Sequence, residues 1–185
     1  MAYEVKKVLG NNVVLATDQN EDVVVMGKGI GYHAQKYAAI DPSLIEKIFR
    51  SFKEENFLKF EALIKYIPEE IIKISEDIIS FIETKIEEPL DERVHLAILD
   101  HIHFLVLRKQ QGIDLVNPFM KEIKVLYPEE YRIGREAVNR LRKKLNIAIS
   151  DDEIGFLTLH IYSAKHSCHV KEAIQQTKEK YNLKM

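Results

Sequence analysis

Two histidines lie among apolar residues at helical spacing, and they are the most unusual feature of the chain. His101 lies within residues 94–107, a strongly apolar stretch without glycine or proline that is too long for a strand. His160 follows Phe156 and Leu157 by four and three positions, which also places it on an apolar helical face. An imidazole on such a face must find a hydrogen-bond partner, lie at a groove or interface, or carry chemistry.

Two interpretations of these histidines remain open. They can be core or interface histidines with satisfied hydrogen bonds, which burial statistics make the commoner case. Alternatively, both line a groove that receives a phosphoryl group. A phosphate there would add negative charge and acceptor oxygens at a packing surface, and an interface at that surface would have to rearrange.

A metal site or a catalytic site has weaker support. Metal ligands on one helix stand at i, i+3 or i+4, but His95, His101 and His103 are separated by six and two positions. His166 and His169 have a suitable spacing, without an HExxH or CxxC context. The helical part contains no paired acid and base, nucleophile elbow or Walker-type phosphate loop. We therefore predict neither an enzyme nor a bound metal or cofactor.

The overall composition is that of a folded protein from a reducing compartment. Its 185 residues are 46% hydrophobic, enough for a core, and the formal net charge of -2 argues against nucleic-acid binding by charge alone. The single cysteine rules out an internal disulfide framework. Because no apolar run reaches membrane-spanning length and the N-terminus lacks a signal-peptide core, we expect a cytoplasmic protein with no membrane partner.

The N-terminal section, up to residue 40, predicts a small antiparallel sheet. Residues 3–9, 12–16 and 22–26 are short runs rich in β-branched side chains, and turn-forming residues separate them. Connections this short exclude parallel crossovers. Since a three-stranded sheet of about forty residues is marginally stable alone, we expect it to pair with another copy or a partner.

Residues 40–52 have two possible interpretations. Asp41 followed by Pro42 is typical of a helix N-cap with proline at the first helical position. Residues 47–52 either continue that helix or form a closing strand, and their periodicity does not distinguish the two. Residues 51–56 are charged and polar, and we predict that they form a linker.

Everything from residue 57 onward is predicted to be helical. Pro68 and Asp91 mark helix starts, and Gly112 ends the helix that follows Asp91. Residues 150–153 match a capping box, with serine at the N-cap and glutamate at N3. The predicted fold class is α+β, with a small antiparallel β-sheet domain followed by an all-α helical bundle.

The glycine run at residues 27–31 lacks the spacing and the following helix of a dinucleotide fingerprint. Its glycines allow close backbone approach to a ligand, Lys28 can meet a phosphate, and Tyr32 offers a stacking face. Asn11 and Asn12 lie in the turn after the first strand and can hydrogen-bond base edges. This combination is typical of sites that bind single-stranded or bulged RNA. An ordinary glycine-rich hairpin with turn asparagines explains the same residues, so both interpretations stay open.

Taken together, these motifs resemble the transcriptional antiterminators that control sugar-uptake operons in bacteria. Residues 6–14 and 24–32 are similar to the N-terminal RNA-binding module of that family. Residues 99–102 and 152–161 are similar to the two histidine motifs of its phosphotransferase-system regulation domain. The resemblance covers nearly the whole chain, in the domain order of the family.

The resemblance also implies a division of the chain. A co-antiterminator RNA-binding domain would span residues 1–56, and a regulation domain would span residues 57–172. Residues 173–185 would form a tail that begins the linker to a second regulation domain, which members of the family normally carry.

For the first module, the resemblance implies a four-stranded antiparallel sheet, closed by residues 47–52, that forms a homodimer. This dimer would bind a bulged RNA hairpin, the ribonucleic antiterminator, in a leader transcript and prevent the competing terminator from forming. Gly10 stands where the family usually has asparagine, and Asn11 is the candidate to replace it. The implied RNA-binding residues are Lys7, Asn11, Asn12, Gly27, Lys28, Gly29 and Tyr32.

For the helical module, the resemblance implies phosphorylation of His101 and His160, with Asp100 orienting the first imidazole through a hydrogen bond. The donor would be the phosphocarrier protein HPr or the sugar-specific enzyme II of the phosphotransferase system. Phosphorylation would switch the activity off by disturbing the dimer. The remaining alternative is a histidine phosphotransfer or metal-binding domain fused to a β interaction module.

Overall fold

The computed structural model describes residues 3–32, 34–49, 54–87, 90–91, 93–167, 172 and 175. It divides into two compact units, Met1–Glu69 and Glu70–Met185. The α+β class is confirmed, because the first unit contains a sheet and the regular structure described in the second is helical. The module boundaries predicted at residues 56 and 172 stay predictions, since compactness alone does not decide them.

The first unit contains a four-stranded antiparallel sheet in the order β1-β2-β3-β4. Its strands are β1 Glu4–Gly10, β2 Val13–Asp18, β3 Glu21–Met26 and β4 Lys47–Phe49. The antiparallel meander predicted for the first three strands is confirmed. The closing strand predicted at residues 47–52 is confirmed as far as Phe49, and residues 50–53 lie outside the described residues.

One face of the sheet carries an apolar core. Alternate residues of a strand point to the same face, and β-branched valines suit such a half-buried surface. The buried cluster consists of Tyr3, Val5, Val14, Ala16, Val23, Val25, Ile30 and Ile40. Because Ile30 belongs to this cluster, the glycine run that contains it is anchored to the sheet.

The Asp41-Pro42 pair begins a short 3-10 turn, Pro42–Leu44, rather than a long helix. The Asp41 carboxylate accepts hydrogen bonds from the hydroxyl and the backbone N–H of Ser43, and these bonds hold its pKa below the usual value. The predicted N-cap is therefore confirmed. The chain leaves the turn after Leu44 and enters β4, which decides between the two interpretations of this region.

Helix α1, Glu54–Ile64, also belongs to the first unit. The linker predicted at residues 51–56 is wrong from Glu54 onward, because acidic residues are also favourable in the first turn of a helix. The buried Glu61 of α1 pairs with Lys7 of β1, with 2.6 Å between Nζ and Oε1. The hydrogen bond from Lys7 lowers the pKa of Glu61.

The helices described in the second unit are α2 Glu69–Glu83, α3 Arg93–Gln110, α4 Met120–Leu126, α5 Pro128–Leu145 and α6 Asp152–Lys165. Helix α6 packs against α3, α4 and α5. The largest fully buried side chains here are Ile78, Ile79, Ile82, Ile98, Leu99, Ile102, Leu105, Ile133, Leu141, Leu157 and Ile161. This core holds α3 and α6 side by side, so polar residues on their facing surfaces must meet.

The ends of α3 follow the predicted signals. The Asp91 carboxylate accepts a hydrogen bond from the backbone N–H of Arg93 over 3.0 Å and another from its guanidinium over 2.8 Å. The Arg93 side chain lowers the pKa of Asp91 to about 2. Gly112 has a φ of +70°, a left-handed conformation typical of a residue that ends a helix. Among the described helices, none is both long enough and apolar enough to cross a membrane.

Candidate functional site

The asparagine turn and the glycine loop of the first unit form one hydrogen-bonded cluster. Gly27 N donates to Asn12 O over 3.0 Å, and Gly31 N donates to Asn11 O over 2.8 Å. The side-chain oxygen of Asn12 also accepts a hydrogen bond from Gly29 N. The loop backbone is therefore tied at three points to the turn between β1 and β2.

Close backbone approach explains two of the loop glycines. A Cβ atom on Gly31 would overlap the carbonyl oxygen of Gly10, and one on Gly27 would overlap that of Leu44. Both positions therefore exclude any larger residue unless the backbone moves. Gly10 differs, because a Cβ atom there would meet nothing within 4 Å. Position 10 therefore has room for the Cβ atom of the asparagine that the resemblance implies there.

The side chains around this cluster can reach a ligand. Lys28 is exposed, and 73% of Tyr32 is accessible to solvent. Since the carboxamide oxygen of Asn12 is bonded to Gly29, the amide NH2 is the group that Asn12 can offer to a ligand. The cluster thus presents an amide donor, an ammonium group and an aromatic face, which are the groups that bind unpaired bases and phosphates.

Lys7 stands apart from the other predicted RNA-binding residues. It lies on β1 opposite Leu15, three residues before Gly10, which corresponds to about 10 Å along the strand. Its ammonium group is paired with Glu61. The structure thus brings all of the predicted RNA-binding residues except Lys7 into one cluster, and it places Lys7 farther along the same strand.

In the second unit, helices α3 and α6 bring the two predicted phosphorylation sites together. The ring centroids of His101 and His160 are 5.1 Å apart, and the ring of Phe156 lies 6.1 Å from that of His101. The side chain of His101 is 11% exposed, and His160 is half-buried. The two imidazoles therefore form a single site, although helices α4 and α5 lie between them in the sequence.

A buried carboxylate joins His101 to an arginine. Glu153 Oε2 lies 2.8 Å from His101 Nε2, and Arg108 Nη2 donates to Glu153 Oε1 over 3.1 Å. The side chain of Glu153 is only 6% exposed. Burying a carboxylate is costly unless it is paired and hydrogen-bonded, and here each oxygen has a partner. We call His101, Glu153 and Arg108 the carboxylate bridge.

The structure gives the His101 ring a different partner from the predicted one. Asp100 is half-buried, and it forms no hydrogen bond or ion pair with His101 in the part of the chain that the structure describes. Adjacent residues of a helix project about 100° apart, so Asp100 cannot face the ring of the next residue. Glu153 holds the ring instead.

The capping box predicted at residues 150–153 is wrong, because Glu153 does not bond back to the start of its own helix. The N-cap of α6 is Asp151, and the Ser150 hydroxyl accepts a hydrogen bond from Asp152 N over 3.2 Å. The side chain of Glu153 turns away from its own helix start toward α3, to a partner 52 residues earlier in the chain. Local spacing predicts the cap and carries no information about this distant partner.

The sequence did contain a signal for Arg108, which the sequence analysis missed. Arg108 follows His101 by seven positions, two helical turns on the same face. A cation at that spacing from a histidine is a candidate partner for whatever anion the histidine binds. Glu153 had no comparable signal.

His160 stays neutral at physiological pH. Its Nδ1 is buried and has no hydrogen-bond partner within the described residues. Burial, and after it the charge of His101, lowers the pKa of His160 to about 3. The ring therefore contributes no positive charge to the site.

His95 has the surroundings of a core histidine. His95 Nδ1 lies 3.0 Å from Glu76 Oε2, and both residues are buried, so the core-histidine interpretation applies to His95. Among the described residues, no group of three or more histidine, cysteine or acidic side chains converges as metal ligands would. Cys168 and His169 lie outside the described residues.

The lowered pKa of His160 predicts acid sensitivity. The unfolded chain takes up a proton on this ring near pH 6.5, whereas the folded protein does so only near pH 3. The contribution of the neutral ring to the free energy of unfolding is complete above pH 6.5. It is lost as the pH falls, and the free energy of unfolding is about 2 kcal/mol lower at pH 5. Urea unfolding of the wild type at pH 7 and pH 5 measures it. His160→Asn lacks the titrating ring and is expected to lose less stability over this interval; an equal loss in both proteins contradicts the assignment.

The backbone contacts of the glycine loop predict unequal effects for two similar substitutions. Gly31→Ala places a methyl group against the Gly10 carbonyl and is expected to lower the free energy of unfolding by about 1–3 kcal/mol. Gly10→Ala places the methyl group in open space and is expected to change it by less than about 0.5 kcal/mol. Chemical denaturation of both variants tests this difference, and equal midpoints would show that the loop is not held as described.

Comparisons with known proteins cover both units. The family model of the CAT RNA binding domain matches residues 3–57, and that of the PRD domain matches residues 76–164. The transcription antiterminator LicT of Bacillus subtilis (strain 168) is 33% identical over 176 residues, which is 95% of this chain and 64% of that protein. The beta-glucoside operon antiterminator of Dickeya chrysanthemi is 32% identical over 95% of this chain and 62% of its own length.

A solved structure matches the chain over both units. The crystal structure of GlcT CAT-PRDI is 38% identical in sequence, with a TM-score of 0.80 over 89% of this chain and 99% of that one. The chain spans less than two thirds of the length of the curated relatives it matches. With the RNA-binding and PRD matches in the same order, the chain belongs to the family of transcription antiterminators that combine a CAT RNA-binding domain with a PRD domain.

Proposed function

We propose that this chain is the RNA-binding and regulatory part of a transcription antiterminator, a regulator rather than an enzyme. As a homodimer in the cytoplasm, it binds a bulged RNA hairpin in the leader of a sugar-utilisation operon and prevents the competing terminator from forming. The observation that carries this proposal is the cluster of Asn12, Lys28 and Tyr32 on a glycine loop anchored to the sheet. It lies within the region that matches the CAT RNA binding domain.

The chemistry of the cluster supports recognition of bases rather than attraction by charge. Asn12 supplies an amide donor held in place by Gly29, which suits an acceptor on a base edge. Tyr32 supplies a stacking surface for an unpaired base, and Lys28 supplies a contact to a phosphate. A net charge of -2 makes such specific contacts necessary, because general electrostatic attraction to RNA is weak.

Regulation occurs through phosphorylation of His101 and His160, with the phosphocarrier protein HPr or a sugar-specific enzyme II as the donor. Support comes from the match to the PRD domain and from the proximity of the two imidazoles, whose ring centroids are 5.1 Å apart. A phosphoryl group carries about 1.5 to 2 negative charges at neutral pH, so each modification changes the charge of this helical surface substantially. The added charge weakens the homodimer and thereby lowers the affinity for RNA.

The amide donor of Asn12 gives a sharp test of the RNA site. Asn12→Asp keeps the oxygen that accepts from Gly29 N but loses the NH2 group and adds a negative charge. We expect it to fold normally and to bind a bulged hairpin at least about tenfold more weakly in a gel shift, since one lost hydrogen bond plus repulsion exceeds 1.4 kcal/mol. The matched control is Asn20→Asp, the same charge change in the exposed turn between β2 and β3. Equal affinity of the two variants would rule out this base contact.

The proposed control of the dimer predicts the behaviour of phosphomimetic variants. His101→Asp or His160→Asp places a negative charge at the site and is expected to shift sedimentation toward the monomer. His166→Asp makes the same change at the exposed end of α6 and is expected to leave the dimer intact. Circular dichroism checks that each variant is folded. If all variants sediment as the wild-type dimer does, the charge does not act through dimerisation.

A further inference from the structure

The carboxylate bridge has the composition of an anion site that is already filled. His101 Nε2 and the Arg108 guanidinium converge on one carboxylate, and each contacts a different oxygen of it. Glu153 also lies in the first turn of α6, where the helix dipole favours negative charge. These are the groups that proteins use to bind a phosphoryl group, and here they bind a side chain of the same chain.

We propose that Glu153 holds the His101 site closed by occupying the position of the phosphoryl group, and that Arg108 receives the phosphoryl group when Glu153 is displaced. The inference rests on the proposed phosphorylation of His101. It adds the residue that opposes the modification and the residue that stabilises its product. Arg108 exchanges a carboxylate for a phosphoryl group and is therefore paired with an anion both before and after the modification.

Charge explains why the two anions exclude each other. A phosphoryl group on Nε2 would stand where the Glu153 carboxylate now lies, 2.8 Å from that nitrogen. A phosphoryl group and a carboxylate so close to each other, in a site with little solvent, repel strongly. Glu153 is 6% exposed and must therefore leave this position when the phosphoryl group arrives.

Arg108 is the cation that can stabilise the product. His160 is neutral, since burial lowers its pKa to about 3, and it cannot balance the added charge. Within the described residues, the partners of Glu153 are His101 and Arg108. Once Glu153 has left, the planar guanidinium is free to form paired hydrogen bonds to phosphoryl oxygens.

Potassium phosphoramidate provides a test that does not depend on the identity of the protein donor. In this reaction the P–N bond of phosphoramidate breaks, a P–N bond to His101 Nε2 forms, and the imidazole proton leaves with the amide group as ammonia. Mass spectrometry of the purified chain measures the extent of phosphorylation at His101 and at His160 separately. The decay after removal of phosphoramidate gives the lifetime of each phosphohistidine.

We expect Glu153→Gln to raise the phosphorylation rate of His101 about tenfold, because the amide keeps the shape of the side chain but not its charge. Arg108→Gln is expected to shorten the lifetime of phosphorylated His101 several-fold, and Arg108→Lys to restore part of it. Glu130→Gln, at a buried carboxylate paired with Lys165, is the matched control and is expected to behave as the wild type. If Glu153→Gln does not fold, Glu153→Asp retracts the carboxylate and is expected to raise the rate as well.

The outcomes separate this inference from the proposed function. If the wild type and the Glu153 variants are phosphorylated on His101 at the same rate, or if the lifetime does not change in Arg108→Gln, the closed anion site is wrong and phosphorylation still stands. If His101 is phosphorylated in none of these proteins while His160 is, then the proposed modification of His101 itself fails.

Discussion

A buried negative charge in a helical bundle needs partners, and at the contact between α3 and α6 the residues of α3 supply the partners of a carboxylate on α6. Glu153 is buried at the start of α6, and both of its oxygens are paired with residues of α3. Removing one partner from a buried ion pair typically costs about 3–5 kcal/mol. A shift of α3 along α6 would separate Glu153 from His101 and Arg108 and would therefore be opposed by a cost of this kind. The same two helices also carry fully buried apolar side chains, among them Ile102 of α3 and Leu157 of α6. Apolar packing brings the helices together, and the bridge decides their alignment.

The second unit contains another histidine–glutamate pair, His95 and Glu76, whose role is structural. His95 and Glu76 lie between α3 and α2 and are both buried, so their pairing contributes to the core. His101 differs in lying against a second imidazole and in sharing its carboxylate with an arginine. One helix thus carries both a structural histidine and a candidate regulatory histidine, and their surroundings distinguish them where their residue type cannot.

Local signals in the sequence predict much of this fold. The β-branched runs become β1 to β3, and Asp91 and Gly112 mark the ends of α3, because strand propensity and helix capping depend on residues a few positions apart. The linker prediction fails at Glu54 for the same reason, since acidic residues suit both an exposed connection and a first helical turn. Local pattern alone does not separate these two states.

The candidate sites were predictable to unequal degrees. The candidate RNA-binding cluster is assembled by a short turn and a loop that packs beside it, so Asn12 and the glycines could be recognised as one group. The histidine site depends on contacts between helices, and its key carboxylate, Glu153, has a sequence context that predicts a helix cap instead. Asp100 fails as the orienting residue because sequence adjacency in a helix is not spatial adjacency. The sequence does not reveal which helix faces contact each other, and the histidine site depends on that contact.

The hydrogen bonds that join the asparagine turn to the glycine loop also affect the thermodynamics of the proposed RNA binding. The loop gets its shape from backbone contacts with the strands and from Ile30 in the sheet core, and that shape exists before any ligand arrives. Association therefore does not have to order this part of the chain, and the entropic penalty of induced fit is small. Because the contacts that shape the loop come from the strands and the sheet core, unfolding of the sheet also removes the shape of the loop.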